Sequence, residues 1–270
     1  MKRMRTLGIA AVSAALLALT LGSTTTTAEA STAKDRKVPT FKEFEKSTFQ
    51  DKTGVYVVNG DEPVLDKKAL KAYYRSMVGF EQELIVNTVG GVDDAWTNNG
   101  QNLLTYCVST KFSRDYAAVV NAMAAGAAQW EAAANVDFTY VPAQDANCTT
   151  RNNSVVFSVE PTRTQQYIAR AFFPSYPKSA RNVLVNARSL QTSGSWTPSN
   201  ILAHELGHIL GFRHEHTRPE AGTCFEDNNW RALTPYDRAS IMHYPQCNGS
   251  SSDLSMTATD RQGAALLYGP

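Results

Sequence analysis

Histidine is scarce in this sequence and confined to one stretch: the 270 residues hold five, all between His204 and His243. Neither sign of charge is in excess, since 26 Lys and Arg face 25 Asp and Glu for a formal net charge of +1. That balance excludes the broad basic field that holds nucleic acid or an anionic membrane, so any specificity must be local. Cysteine is limited to four residues, none before Cys107 and no two in C-x-x-C spacing, which argues against a cysteine-ligated metal. Long apolar runs are missing apart from Leu7 to Leu21, whose 15 residues fall short of the ~20 that span a bilayer. What remains, 43% hydrophobic and 19% charged, is ample for a packed core and excludes a wholly disordered chain.

The apolar run follows Lys2, Arg3 and Arg5 and leads to Ala28-Glu29-Ala30, the arrangement of a secretory signal peptide with an A-x-A cleavage site. Residues 1–30 are therefore expected to be removed on export, leaving an extracellular chain without membrane attachment. Export also makes disulfides the expectation for Cys107, Cys148, Cys224 and Cys247. Three pairings are open, and the sequence-local ones, Cys107 with Cys148 and Cys224 with Cys247, are favoured.

Residues 31–100 carry eight Lys and two Arg, whereas residues 101–270 carry eleven Arg and two Lys, so the composition changes near residue 100. The Gly-, Asn- and Asp-rich stretch from Gly90 to Gly100 reads as a linker there. Upstream, Val55 to Val58 reads as a strand closed by Asn59-Gly60, and Asp66 to Met77 as a helix. Downstream the pattern gives strands at Asn102–Val108, Val136–Val141, Val155–Val159, Ile168–Phe173 and Val183–Asn186, with a long alanine-rich helix over Asp115–Ala134. Strands and helices in that order describe an α+β domain. The expected division is a signal peptide at 1–30, a propeptide at 31–100 and a catalytic domain at 101–270.

Thr197-Pro198 starts a further helix, with Thr as N-cap and Pro in its first turn, and Ile201, Leu202, Leu206, Ile209 and Leu210 continue its apolar face. On it sit His204, Glu205 and His208. Spacing of four stacks the two imidazoles on one side, where both reach one cation, while Glu205 is angled toward a bound water. Gly211 can take a left-handed conformation and turn the chain so that His214 becomes a third ligand. Three neutral ligands and an open fourth position describe one catalytic Zn²⁺ rather than a closed structural site. His216 and His243 read as solvated or hydrogen-bonded structural residues.

The run from His204 through Gly211-Phe212-Arg213-His214-Glu215 resembles the zinc sequence of the metzincin metalloproteases, nearest to the astacins. Ser240-Ile241-Met242-His243-Tyr244 is similar to the astacin Met-turn. Ala169 to Pro174 and Asp260-Arg261-Gln262-Gly263 look more like matrixins, yet the matrixin structural metal sites look absent. The resemblance implies a twisted mixed sheet with a backing helix and an active-site helix, followed by a small C-terminal subdomain. It implies Met242 beneath the metal, Tyr244 beside the reacting carbonyl, and substrate along an edge strand formed by Ile168, Ala169, Arg170, Ala171, Phe172 and Phe173. Glu205 is then the general base of peptide hydrolysis by a secreted monomer acting on peptides or proteins, made as a zymogen. Asp61, after Gly60, is similar to the aspartate with which astacin propeptides fill the open zinc position; a plain turn aspartate is the simpler reading. Glu215 is similar to the astacin acid that pairs with the new N-terminus, or is an ordinary surface carboxylate. A zinc hydrolase of a non-peptide amide, or a non-catalytic zinc-binding or adhesion module, is the alternative.

Overall fold

The computed structural model describes residues 40–77, 85–96 and 103–270, so the expected signal peptide lies outside the described residues. Helix α1 (Phe41–Ser47) starts at a capping box, in which the Glu43 carboxylate accepts from the Thr40 backbone N–H at 2.7 Å and the Thr40 hydroxyl from the Glu43 N–H. Strands β1 (Phe49–Gln50), β2 (Tyr56–Val58) and β3 (Glu62–Val64) form an antiparallel sheet covered by α2 (Lys67–Met77). Tyr56, Val58, Val64, Leu70 and Tyr73 make a small core there, with Phe41 and Phe44 against it. Strands β4 (Val86–Val89) and β5 (Val92–Asp93) follow as a hairpin turned at Gly90 and Gly91, both at positive φ. The described part of the expected linker is thus ordered structure.

The main body contains β6 (Tyr106–Val108), α3 (Tyr116–Glu131), β7 (Phe157–Pro161), β8 (Ala169–Arg170), β9 (Asn182–Val185), α4 (Ala187–Gln191), α5 (Pro198–Ile209), β10 (Trp230–Arg231) and α6 (Ala258–Tyr268). Its mixed sheet runs β6-β7-β9-β8, parallel except for β8, which lies antiparallel at the edge. Helices α3 and α5 pack closely, because Gly126 lets the two backbones meet: a Cβ there would lie 2.9 Å from Ala203 N. The Trp130 indole N–H donates to Ala203 O at 2.7 Å, fixing the height of α5 against α3. Val119, Met123, Phe157, Val183, Leu202 and Leu206 are at most 1% exposed in one continuous core, so the fold is α+β as expected.

Three expected strands come out shorter by more than one residue. Val136–Val141 makes only isolated bridges, Leu103 with Asp137 and Tyr106 with Tyr140. The strand expected over Ile168–Phe173 pairs only at Ala169 and Arg170. The reason lies in Arg170 itself: its Nη1 donates to the carbonyls of Ala171 and Asn182, both at 3.3 Å, where the ladder would continue. Asn102–Val108 contributes Tyr106–Val108 to the sheet. The cysteines pair in the favoured way, Cys107 with Cys148 and Cys224 with Cys247.

Candidate metal centre

Helix α5 begins as its sequence dictates, the Thr197 hydroxyl accepting from the Asn200 N–H at 3.2 Å with Pro198 next in line. It ends at Gly211, whose φ of 91° closes the turn while Phe212 N donates to Gly207 O at 2.9 Å. A side chain at Gly211 would collide with Asp94 O, so glycine is required for space as well as for φ. The turn carries His214 back beside His204 and His208, and all three are at most 2% exposed.

The outer nitrogen of each ring is occupied. His204 Nδ1 meets Ile241 O at 2.7 Å, His208 Nδ1 meets Phe212 O at 2.9 Å, and His214 Nδ1 meets Glu226 Oε1 at 2.5 Å. Carbonyl and carboxylate oxygens can only accept, so the N–H sits at Nδ1 and the Nε2 atoms face one another. His204 and His214 Nε2 are 3.2 Å apart, and the buried His208 Nε2 has no hydrogen-bond partner. Tetrahedral nitrogens each ~2.0–2.1 Å from a zinc ion stand about 3.3–3.4 Å apart, so this donor set fits zinc.

Asp61 reaches the same point from the segment before β3. Its carboxylate is 3.2 Å from His204 Nε2 and 3.1 Å from His214 Nε2, and it accepts a hydrogen bond from the Tyr244 hydroxyl. Asp61 and the three histidines form one group of four potential ligands within 4.8 Å. It is more than a turn residue. Burial outweighed by the histidines holds its carboxyl well below the usual range.

Glu205 is 2% exposed and its Oε2 has no partner. Burial, then the charge of Asp61, pushes its pKa well up. Met242 lies directly beneath α5, where a Cβ on Gly207 would be 2.5 Å from its sulfur. Tyr244 stacks on His204 at 5.3 Å between centroids. Tyr167, Ile168 and Ala169 line one cleft with Asp61, Trp196, Glu205 and Tyr244. Phe172 turns into the main core, and Phe173 packs edge-on against His208 at 5.6 Å.

The neighbouring residues have structural partners. His216 and His243 are fully buried; the first accepts from Tyr244 N at 3.3 Å, and the second meets the Tyr236 hydroxyl at 2.9 Å. Glu215 is 2% exposed, pairs with Arg218 at 3.0 Å and accepts from Asp237 N at 2.9 Å, with burial pushing its pKa up to about 8. It is not a surface carboxylate.

Sequence reasoning missed the carboxylates that steady this centre. Glu226 binds His214, and Arg213 in turn reaches Glu226 at 2.9 Å, Glu62 at 2.7 Å and Asp227. Nothing in local spacing marks Glu226, which the chain brings back through the loop that Cys224–Cys247 closes.

A family model for the matrixins matches residues 95–221. A bone morphogenetic protein 1 homolog of Strongylocentrotus purpuratus is 38% identical over 63 residues, 16% of this chain and 10% of that protein. The matched region is thus a tenth of that relative's length. Among solved structures, myroilysin is 22% identical with a TM-score of 0.44, covering 66% of this chain and 96% of that one. High choriolytic enzyme 1, a hatching enzyme zinc-protease from Oryzias latipes, is 20% identical with a TM-score of 0.42, covering 64% and 94%. Residues 95–221, a little under half of the chain, thus resemble the matrixins, a family of metalloproteases.

Proposed function

We propose that the chain is a secreted zinc endopeptidase made as a zymogen, with His204, His208 and His214 holding one Zn²⁺ and Glu205 serving as general base. The observation that carries this reading is the inward convergence of three Nε2 atoms beside a buried carboxylate with a free oxygen. Zinc held there supplies a Lewis acid that acidifies water and polarises a carbonyl. Glu205 takes the proton of the attacking water at Oε2 and delivers it to the leaving amine. The Tyr244 hydroxyl, now donating to Asp61, turns to the oxygen of the scissile carbonyl once Asp61 withdraws. Met242 supports α5 from below. β8 is the edge strand of its sheet among the described residues, and an edge strand that can pair with an extended backbone supports peptides and proteins as substrates.

Latency rests on Asp61, which stands where a fourth ligand would bind and engages Tyr244 at the same time. The expected propeptide, residues 31–100, divides on this reading: the segment carrying β1–β3 blocks the centre, and residues 85–96 are part of the body. Secretion and removal of residues 1–30 complete the proposal. The test is a mixed peptide library incubated with the secreted, processed protein, with and without a zinc chelator, and read by mass spectrometry. Cleavage should be abolished by chelator and absent in Glu205→Ala, which still binds zinc. Full cleavage by Glu205→Ala would overturn the assigned base, and chelator-insensitive cleavage the metal.

A further inference from the structure

Arg170 stands apart from the catalytic groups yet beside them. It lies on β8, next to Ala169 of the cleft wall, and is fully buried. One end of its guanidinium belongs to the body, where Nη1 donates to Asn182 Oδ1 at 2.9 Å and to the Ala171 and Asn182 carbonyls. The other end belongs to the blocking segment. Nε and Nη2 both address Asp51 Oδ2, at 3.0 and 2.6 Å, and Nη2 also meets Thr53 Oγ1 at 3.3 Å. Among the described residues no other carboxylate comes within ion-pairing distance of Arg170. Asp51 is equally committed, its Oδ1 accepting from Thr53 N and Val55 N so that Oδ2 is left for the arginine.

Withdrawal of the blocking segment therefore uncovers half a guanidinium, held in place by neutral acceptors and without a counter-charge, on the strand that borders the cleft. Arg170 is paired across the ladder with Leu184, and both lie on the sheet face away from the main core, where Leu184, Tyr167 and Val57 cluster. In antiparallel pairing, side chains directly opposite share a face. A peptide residue set opposite Arg170 on the free side of β8 thus places its side chain beside the uncovered fork. A carboxylate matches that fork in charge and geometry.

We infer that Arg170 is a specificity determinant that selects peptides with an acidic side chain at the position facing it, and that Asp51 takes the place of this side chain in the zymogen. The inference rests on the endopeptidase reading for its biological meaning, but not for its test. Peptide pairs that differ only by Asp against Asn, with the acid moved one position at a time, are offered to the processed protein. Binding is read by fluorescence anisotropy on chelator-treated protein, and hydrolysis separately through kcat/KM.

One position should favour Asp by about tenfold, the scale of a charge-assisted pair. The preference should fall with added salt, vanish in Arg170→Gln and reverse toward Lys in Arg170→Glu. Arg170→Lys should keep part of it. Equal binding of Asp and Asn at every position, or a preference that survives in Arg170→Gln, overturns the inference. A protein that selects Asp yet hydrolyses nothing supports this assignment and sinks the endopeptidase reading. One that hydrolyses Asp and Asn peptides alike does the reverse. Should Arg170→Gln fail to fold, the salt dependence and the Arg170→Lys ratio decide.

Discussion

Two hairpin-bearing segments precede the main body, and they are held to it by different forces. The first, β1 to β3, makes no strand pairing with the body among the described residues and keeps a small core of its own. It docks chiefly through side chains: Asp51 on Arg170, Asp61 on the histidines, Glu62 on Arg213, and the Tyr176 hydroxyl on Pro63 O at 2.6 Å. The second, β4 and β5, is joined through its backbone. Asn87 and Val86 pair with Trp230 and Arg231, Asn87 N donates to Gly211 O at 2.8 Å, and Val86 is fully buried. Ala95 and Trp96 continue into the main core, with the Trp96 indole N–H on Ile209 O at 2.7 Å. A segment docked by side-chain contacts can leave a finished fold behind it. One that completes a ladder and a core cannot, since its loss strands buried backbone groups.

The sharpest break of this contrast is Gly211→Ala. It strains a left-handed position and drives a Cβ into Asp94 O, at a cost of about 3 kcal/mol or more, so Tm should fall by roughly 6–12 °C. The loss belongs to the body, so it should be equal in precursor and processed protein; a drop confined to the precursor would place the second hairpin with the removable part. Next in size is Asp61→Ala, which takes away the buried carboxylate at the centre and leaves the body alone. The intact precursor should gain peptidase activity by about 30-fold or more, as expected for about 2 kcal/mol of lost docking. A variant precursor as silent as the wild type would show that other contacts of the first segment suffice for latency.

Residues that act through local spacing were open to sequence reading. Thr197 and Pro198 announce a helix start, a spacing of four stacks two histidines, and Gly211 frees the turn that returns a third, all within one short stretch. Gly60-Asp61 was legible only as a resemblance, because its partners lie more than 140 residues away. Arg170 with Asp51 and Glu226 with His214 left no periodic trace, since each pair is made by tertiary approach. The stretch from Gly90 to Gly100 reads as a linker from its Gly, Asn and Asp, and the paired glycines at its start are also what a tight hairpin turn demands. Composition could not distinguish a turn within a ladder from a loose connection, because the pairing partner, β10, comes so much later in the chain.

Arg213 ties the two segments together, its N–H donating to Ile85 O at 3.1 Å and its guanidinium reaching Glu62 and Glu226. Glu226 in turn orients His214, so Glu226→Gln should weaken zinc affinity by about 10–100-fold, measured against a competing chelator. Unchanged affinity would reduce Glu226 to a partner of Arg213 alone.

The smallest effect separates the two segments by the sign of their response to acid. Burial presses Asp51 toward its neutral form, but Arg170 and the Thr53 hydrogen bonds outweigh it, leaving the pKa below the ordinary value. Its contribution to docking is therefore present above about pH 3.9 and lost as pH falls through the lower docked value. Asp94 in the second segment has the opposite shift: burial raises its pKa, despite hydrogen bonds from Ser175 at 2.8 Å and Asn87 at 2.7 Å. Its contribution is fully present below about pH 3.9 and lost as pH rises through the raised value. Hydrogen exchange of wild type against single Asn variants, compared at equal pH, isolates each group. Asp51→Asn should speed exchange in residues 49–64 by roughly three- to tenfold near neutral pH, and the difference should close at pH values below the docked pKa. Asp94→Asn should slow exchange in residues 86–94 near neutral pH and match wild type at pH 3. Two differences of the same sign would mean that charge governs both segments, and the contrast between ionic docking and backbone integration would fail.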